Sequence, residues 1–149
     1  METFKDYTLI KHEIDLISAN VIEIHALEVR ELPEGKELRN AVKIGRRLGE
    51  LEQNVLSAFI KVTVGVFEEK VEEPAIKYVV VVKGKFMRTS AVAVDEGKFR
   101  NDVDKLAVSL LLPYARAALA SLSGVMDAAI VYIPTMDVLK SMTANKDDE

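Results

Sequence analysis

Apolar and polar positions alternate through most of the first hundred residues, and the spacing then becomes helical. Over residues 7–16, Thr8, Ile10, His12, Ile14 and Leu16 share one face, with Lys11, Glu13 and Asp15 on the other. Residues 21–29 repeat the pattern, setting Ile22, Ile24 and Ala26 against Glu23, His25 and Leu27. Ser18-Ala19-Asn20 between them predicts a bend or bulge in one long strand. A period of two with one polar face is that of an antiparallel sheet covered on one side. The clearest strand is 55–67, where Leu56, Ala58, Ile60, Val62, Val64 and Val66 form an unbroken apolar face. Its other face carries two phenylalanines, Phe59 and Phe67, among Ser57, Lys61, Thr63 and Gly65. An acidic turn over 68–74 leads to 78–82, a β-branched run without a polar face, as in a strand covered on both sides. Gly84 is expected to break that run, and 86–94 to form a last strand.

Residues 30–53 are polar and contain Pro33, Gly35, Gly45 and Gly49. They read as a variable connection holding a short helix or a mobile loop. Nothing in them has linker composition, so residues 1–149 are expected to form one domain.

Asp95-Glu96-Gly97 is a turn signal, after which Asn101 or Asp102 can cap a helix and Asp104 adds negative charge to its first turn. Val103, Leu106, Ala107, Leu110 and Leu111 follow helical spacing. Pro113 lacks an amide hydrogen and clashes with the carbonyl of Ser109, which predicts a break or kink. A second helix is expected over 112–123, with Ala115, Ala118, Leu119 and Leu122 as a small-residue stripe and Gly124 ending it. A short apolar run at 128–133 precedes Pro134; Thr135 can cap a last helix over 136–142, and 143–149 is expected to be a disordered tail. Strands followed by helices give an α+β layout, one antiparallel sheet with C-terminal helices packed on one face.

Composition narrows the function classes. With 149 residues, 49% hydrophobic and 30% charged, the chain can bury a core of its own. The absence of cysteine removes disulfides, thiolate metal sites and cysteine nucleophiles. The amino terminus carries acids where a signal peptide needs an apolar run. The most apolar stretch, 106–120, is interrupted by Pro113 and Arg116 and is short for a bilayer. A soluble, cytoplasmic protein without membrane insertion is expected. The net charge of −4 argues against nucleic acid as a partner. Lys43, Arg46 and Arg47 lie among Glu37, Glu50 and Glu52, which reads as a solvated mixed-charge surface.

Catalytic chemistry finds no motif. His12 and His25 fall in predicted strands with no serine, acid or metal-ligand spacing beside them, so sheet-surface positions explain them best. Ser121 and Ser123 suit capping or packing near a helix end. Gly45 and Gly49 lack the rest of a phosphate loop. No catalytic residue, metal site or cofactor is therefore assigned, and a small-ligand site or enzyme would need a closed pocket with converging polar groups. Phe59, Phe67, Tyr78, Phe86 and Met87 are the candidate surface for a bound polypeptide. Exposed together, they exceed the apolar patch a monomer usually tolerates; taken singly, each is better explained as core.

The most specific segment is Leu110-Leu111-Leu112-Pro113-Tyr114-Ala115-Arg116, followed by small residues up to Gly124. It resembles the signature helix of the SecB family of protein-export chaperones. Ile133-Pro134-Thr135-Met136-Asp137 is similar to the segment that leads into that family's last helix, and residues 78–86 resemble its strand-glycine-aromatic boundary. Residues 55–67 match a family strand in pattern only, so the likeness covers roughly 55–142. It implies a four-stranded antiparallel sheet with C-terminal helices, assembled as a homotetramer from two dimers. It implies no cofactor, and an ATP-independent holdase that binds unfolded preproteins in support of protein export. By position, Val80 and Val82 match the dimer–dimer contact, and Ala115, Ala118, Leu119 and Leu122 the helix between the two sheets. Pro113, Tyr114, Arg116, Gly124 and Pro134 match structural signature positions.

Some positions depart from the family pattern. Acids that dock the translocation motor are replaced here by Val81 and by Asn20 or Leu16, Asp137 stands for an asparagine, and Leu112 for an aromatic. Motor docking therefore stays open. The alternative is a dedicated chaperone for one client, such as an antitoxin.

Overall fold

A computed structural model describes residues 3–10, 12–32, 35, 37–89, 95–126 and 138–146. Four strands come first: β1 (Ile14–Glu28), β2 (Leu38–Glu52), β3 (Val55–Glu68) and β4 (Ile76–Arg88). Two helices follow, α1 (Glu96–Val125) and α2 (Val138–Lys146). The strands form one antiparallel sheet in the order β1-β4-β3-β2, so β1 and β2 are its edges.

The core lies between one face of this sheet and α1. The alternation in β3 places Leu56, Ala58, Ile60, Val62 and Val64 inside with no exposure. β4 supplies Tyr78, Val80, Val82 and Phe86, also without exposure. The helix answers with Val103, Ala107, Leu111, Ala115 and Leu119, an i+4 stripe that is buried along its length. Gly84 gives α1 room to approach the sheet, since a Cβ there would lie 2.7 Å from Cδ2 of Leu111.

The strand count of four matches the expectation, but its members differ. Residues 30–53 are not a loop: 38–52 form β2, paired to β3 along its length. Asn40, Val42, Ile44, Arg46 and Leu48 do alternate, but the charges and glycines of an edge strand mask the pattern. Gln53 and Asn54 turn the β2–β3 hairpin with φ of 49° and 67°, the two positive values a type I′ turn requires. Gly84 does not break β4, which runs through to Arg88; its missing side chain makes room for α1 instead of ending the strand. Residues 90–94 of the expected last strand lie outside the described residues. β1 begins at Ile14 rather than residue 7, and Phe4, Tyr7, Leu9 and Ile10 are 81–96% exposed. The expected irregularity in β1 is present as two register shifts, Leu16/Ser18 and Val21/Glu23, flanking Ala19 and Asn20.

Pro113 does not divide the helix. α1 spans 30 residues, and its sheet-facing stripe continues on both sides of the proline, which points outward and is exposed. Packing of that stripe outweighs one lost backbone hydrogen bond. The N-cap is Asp95, whose Oδ1 accepts from the Gly97 amide at 3.0 Å, and neither Asn101 nor Asp102 is the cap. The helix passes Gly124 by one residue and closes with the Met126 amide on the Leu122 carbonyl at 2.9 Å. By length and composition α1 could cross a bilayer, contrary to the sequence expectation, but its buried stripe makes it the core helix of this sheet. α2 covers 138–142 of the expected last helix and continues through 143–146 of the expected tail; the apolar run at 128–133, Pro134, Thr135 and residues 136–137 and 147–149 lie outside the described residues.

Candidate functional site

β1 is the first unusual surface. It is an edge strand of 15 residues, and no strand among the described residues pairs with its outer side. Ile17, Val21, Ile22, Ile24 and Leu27 are 39–51% exposed along it. Register explains how both faces come to be apolar. Val21 and Ile24 stand opposite Val82 and Val80 and so share the helix side of the sheet, at its uncovered margin. The second shift, between Val21 and Glu23, brings Ile22 beside Glu23 toward the other side, where both line one shallow depression with Phe59 and Val81. Proteins usually protect long edges with charges or bulges; β1 has its bulges and three acids, Asp15, Glu23 and Glu28, but also keeps exposed apolar side chains.

On the helix side, α1, α2 and β2 enclose an open groove of about 450 Å³. Val42, Ile44, Val108, Val138 and Met142 give it apolar walls. Arg46 stands at its rim, held by a two-pronged pair with Asp104 of α1, Nε to Oδ1 at 2.8 Å and a terminal nitrogen to Oδ2 at 3.2 Å. The outward side of α1 is apolar too. Leu110, Tyr114 and Val125 are 37%, 44% and 83% exposed, and Arg116 is the one charged residue between 106 and 125.

The outer face of the sheet has a different character. Its central strands present Lys61 of β3 and Lys77, Lys83 and Lys85 of β4, with no acid at the alternate positions between them. The edge strand β2 adds Arg39, Lys43 and Arg47. Asp15, Glu23 and Glu52 are in register on this face, all on edge strands. Two phenylalanines interrupt the cations. The Arg47 guanidinium lies 3.9 Å from the centroid of Phe59, with Lys83 Nζ at 5.8 Å, and Arg39 lies 4.5 Å from that of Phe67. Glycines make the beds for these rings: a Cβ on Gly65 would meet Phe67 at 2.6 Å, and one on Gly49 would meet Phe59 at 3.1 Å.

The structure divides the candidate binding residues. Phe59, Phe67 and Met87 lie on the outer face, half-buried or exposed, whereas Tyr78 and Phe86 are core side chains without exposure because they face α1. Val80, Val82, Ala115 and Leu119 are likewise fully buried within the protomer; Ala118 and Leu122 are half-buried. Among the signature residues, Pro113, Tyr114 and Gly124 are exposed and Arg116 half-buried, while Pro134 lies outside the described residues. His12 and His25 are both exposed, and Nδ1 of His12 accepts from the Ile14 amide at 3.0 Å. Ser123 is buried, its hydroxyl donating to the Leu119 carbonyl at 2.8 Å. Sequence reasoning missed the groove wall and both arginine stacks, since all depend on β2. The alternation of Arg39, Lys43 and Arg47 with Val42 and Ile44 was the available signal.

The chain matches no family model and no curated protein sequence. Among solved structures it is similar to a Mycobacterium tuberculosis SecB-like chaperone, Rv1957, in complex with a ChAD peptide from the Rv1956 HigA1 antitoxin. The TM-score is 0.72 at 9% identity, over 84% of this chain and 91% of that one. A protein of unknown function from Streptococcus agalactiae gives a TM-score of 0.46 at 13% identity, over 83% of this chain and 98% of that one. The four-stranded antiparallel sheet with its C-terminal helix packed across one face is thus a SecB-like fold.

Proposed function

We propose that this protein is a chaperone that holds extended or unfolded polypeptide and catalyses no reaction. The observation that carries the reading is β1. A long edge with no strand paired to its outer side among the described residues, and with isoleucines on both faces, can take an extended chain by strand addition, with side-chain contacts on either side. The groove walled by Val42, Ile44, Val108 and Met142 offers a second apolar contact on the helix side, and Phe59, Phe67 and Met87 a third on the outer face. Several weak contacts in parallel give affinity without sequence selectivity, which a holdase needs and which requires no ATP or cofactor.

The apolar outward side of α1 from Leu110 onward supports assembly of copies through this helix, with Ala118, Leu122, Leu110 and Tyr114 at the contact, in a homotetramer made from two dimers. The reading places the protein in the cytoplasm. Preproteins in transit to export are the broad client class. A dedicated role with one client is favoured by two observations: the similar mycobacterial chaperone is in complex with an antitoxin peptide, and Val81, which stands where the SecB pattern has a motor-docking acid, lies beside Lys61 and Lys83.

Suppression of aggregation tests the proposal. A chemically denatured client diluted into stoichiometric protein without ATP is expected to stay soluble, and Ile22→Lys with Ile24→Lys is expected to remove much of that protection. Folded protein that leaves aggregation unchanged rules out a holdase, and capture of one partner from many selects the dedicated reading.

A further inference from the structure

We propose that the outer face of the sheet is a docking surface for an acidic, extended polypeptide segment. The chain as a whole is net −4, yet the two central strands show only lysine among their charged residues on this face. Charge segregated in this way on an acidic protein creates a local field that reaches about 8 Å at physiological salt, enough to select a partner that lies against it. Lys61 and Lys83 flank Phe59, and among the described residues neither is in an ion pair. The acids on this face, Asp15, Glu23 and Glu52, stand on the edge strands, and Lys61 and Lys83 on the central ones.

The two arginine–phenylalanine stacks set the length and the chemistry. Phe59 and Phe67 are eight positions apart on β3, a span of about 27 Å, which an extended segment of roughly eight residues covers. At each end a guanidinium lies on the ring, so the pair offers an apolar edge and a fork of donors together, suited to a carboxylate next to an apolar side chain. Between them Gly45 leaves open space above the strand, next to Lys61 in register. The chain's net charge of −4 counts against single-stranded nucleic acid as the occupant. Asp15 and Glu23 bound the positive strip on the β1 side, and from there it runs across β4 and β3 to Arg39, Lys43 and Arg47 of β2.

Fluorescence anisotropy of the whole protein tests this independently of holdase activity. The probes are an unstructured peptide alternating glutamate with alanine, its lysine counterpart, and a single-stranded oligonucleotide of matching length. The glutamate peptide is expected to bind at least about tenfold more tightly than the lysine one, and to lose affinity as salt rises. Lys61→Glu with Lys83→Glu should abolish that preference and Lys61→Gln with Lys83→Gln should reduce it. Lys105→Glu on α1 should leave it unchanged. Equal binding of the two peptides, a preference for the oligonucleotide, or a change of oligomeric state in the glutamine variant would each overturn the proposal.

Discussion

Gly84 of β4 and Leu111 of α1 meet where the helix crosses the sheet, and a Cβ on Gly84 would lie 2.7 and 3.1 Å from the two Leu111 methyls. The phenyl ring of Phe86 would be 2.9 Å away as well, so the added methyl forces Leu111 and Phe86 to shift together. Gly84→Ala is expected to cost about 1–3 kcal/mol in urea unfolding. Leu111→Ala alone should cost about 2–5 kcal/mol. In the double variant the alanine at 84 has the vacated space, so the two costs should fall short of additive by at least about 0.5 kcal/mol. Strict additivity would place the tight contact elsewhere.

Tyr78 is fully buried, and its hydroxyl has no hydrogen-bond partner among the described residues. A buried hydroxyl in that state carries a desolvation cost, so Tyr78→Phe should leave stability unchanged or raise it by up to about 1 kcal/mol. A loss larger than that in the same unfolding measurement would reveal a partner for the oxygen.

Arg46 and Asp104 tie β2 to α1 through two short bonds, but both side chains keep 32% of their exposure. Solvent screening limits what the pair contributes, and Asp104→Asn should destabilise by only about 0.2–1 kcal/mol, less at high salt. The groove above the pair should be affected more: a looser Arg46 is expected to change client affinity before it changes the melting temperature.

Assembly through α1 has its own test. Leu110→Glu with Val125→Glu places two charges on the outward, exposed side of the helix and touches none of its buried stripe. The variant should fold with unchanged circular dichroism and sediment as a smaller species than the parent. An unchanged sedimentation coefficient would move the copy–copy contact to another surface.

The sequence made the fold class legible because β3 and the sheet-facing side of α1 have uninterrupted periods, and the core rests on those two elements. β2 was hidden because an edge strand half exposed to water tolerates Arg39, Lys43, Gly45 and Arg47 in its alternation. Pro113 misled because local backbone preference was set against a packing stripe that runs the length of the helix, and packing prevailed. Gly84 misled in the same way, since its meaning is the approach of Leu111, a partner 27 positions away in sequence that no local pattern contains. For the site, Phe59 and Phe67 were separable from the core by their polar neighbours. Tyr78 and Phe86 were not, because which face of β4 meets the helix depends on the register with β3.

The most direct test of the central claim is the solution mass of the purified protein by light scattering, with and without a denatured client. The account predicts a multimer that gains mass with unfolded polypeptide and gains none with the same polypeptide folded. A monomer indifferent to unfolded chains would contradict it, leaving the SecB-like fold without the holding function proposed for it.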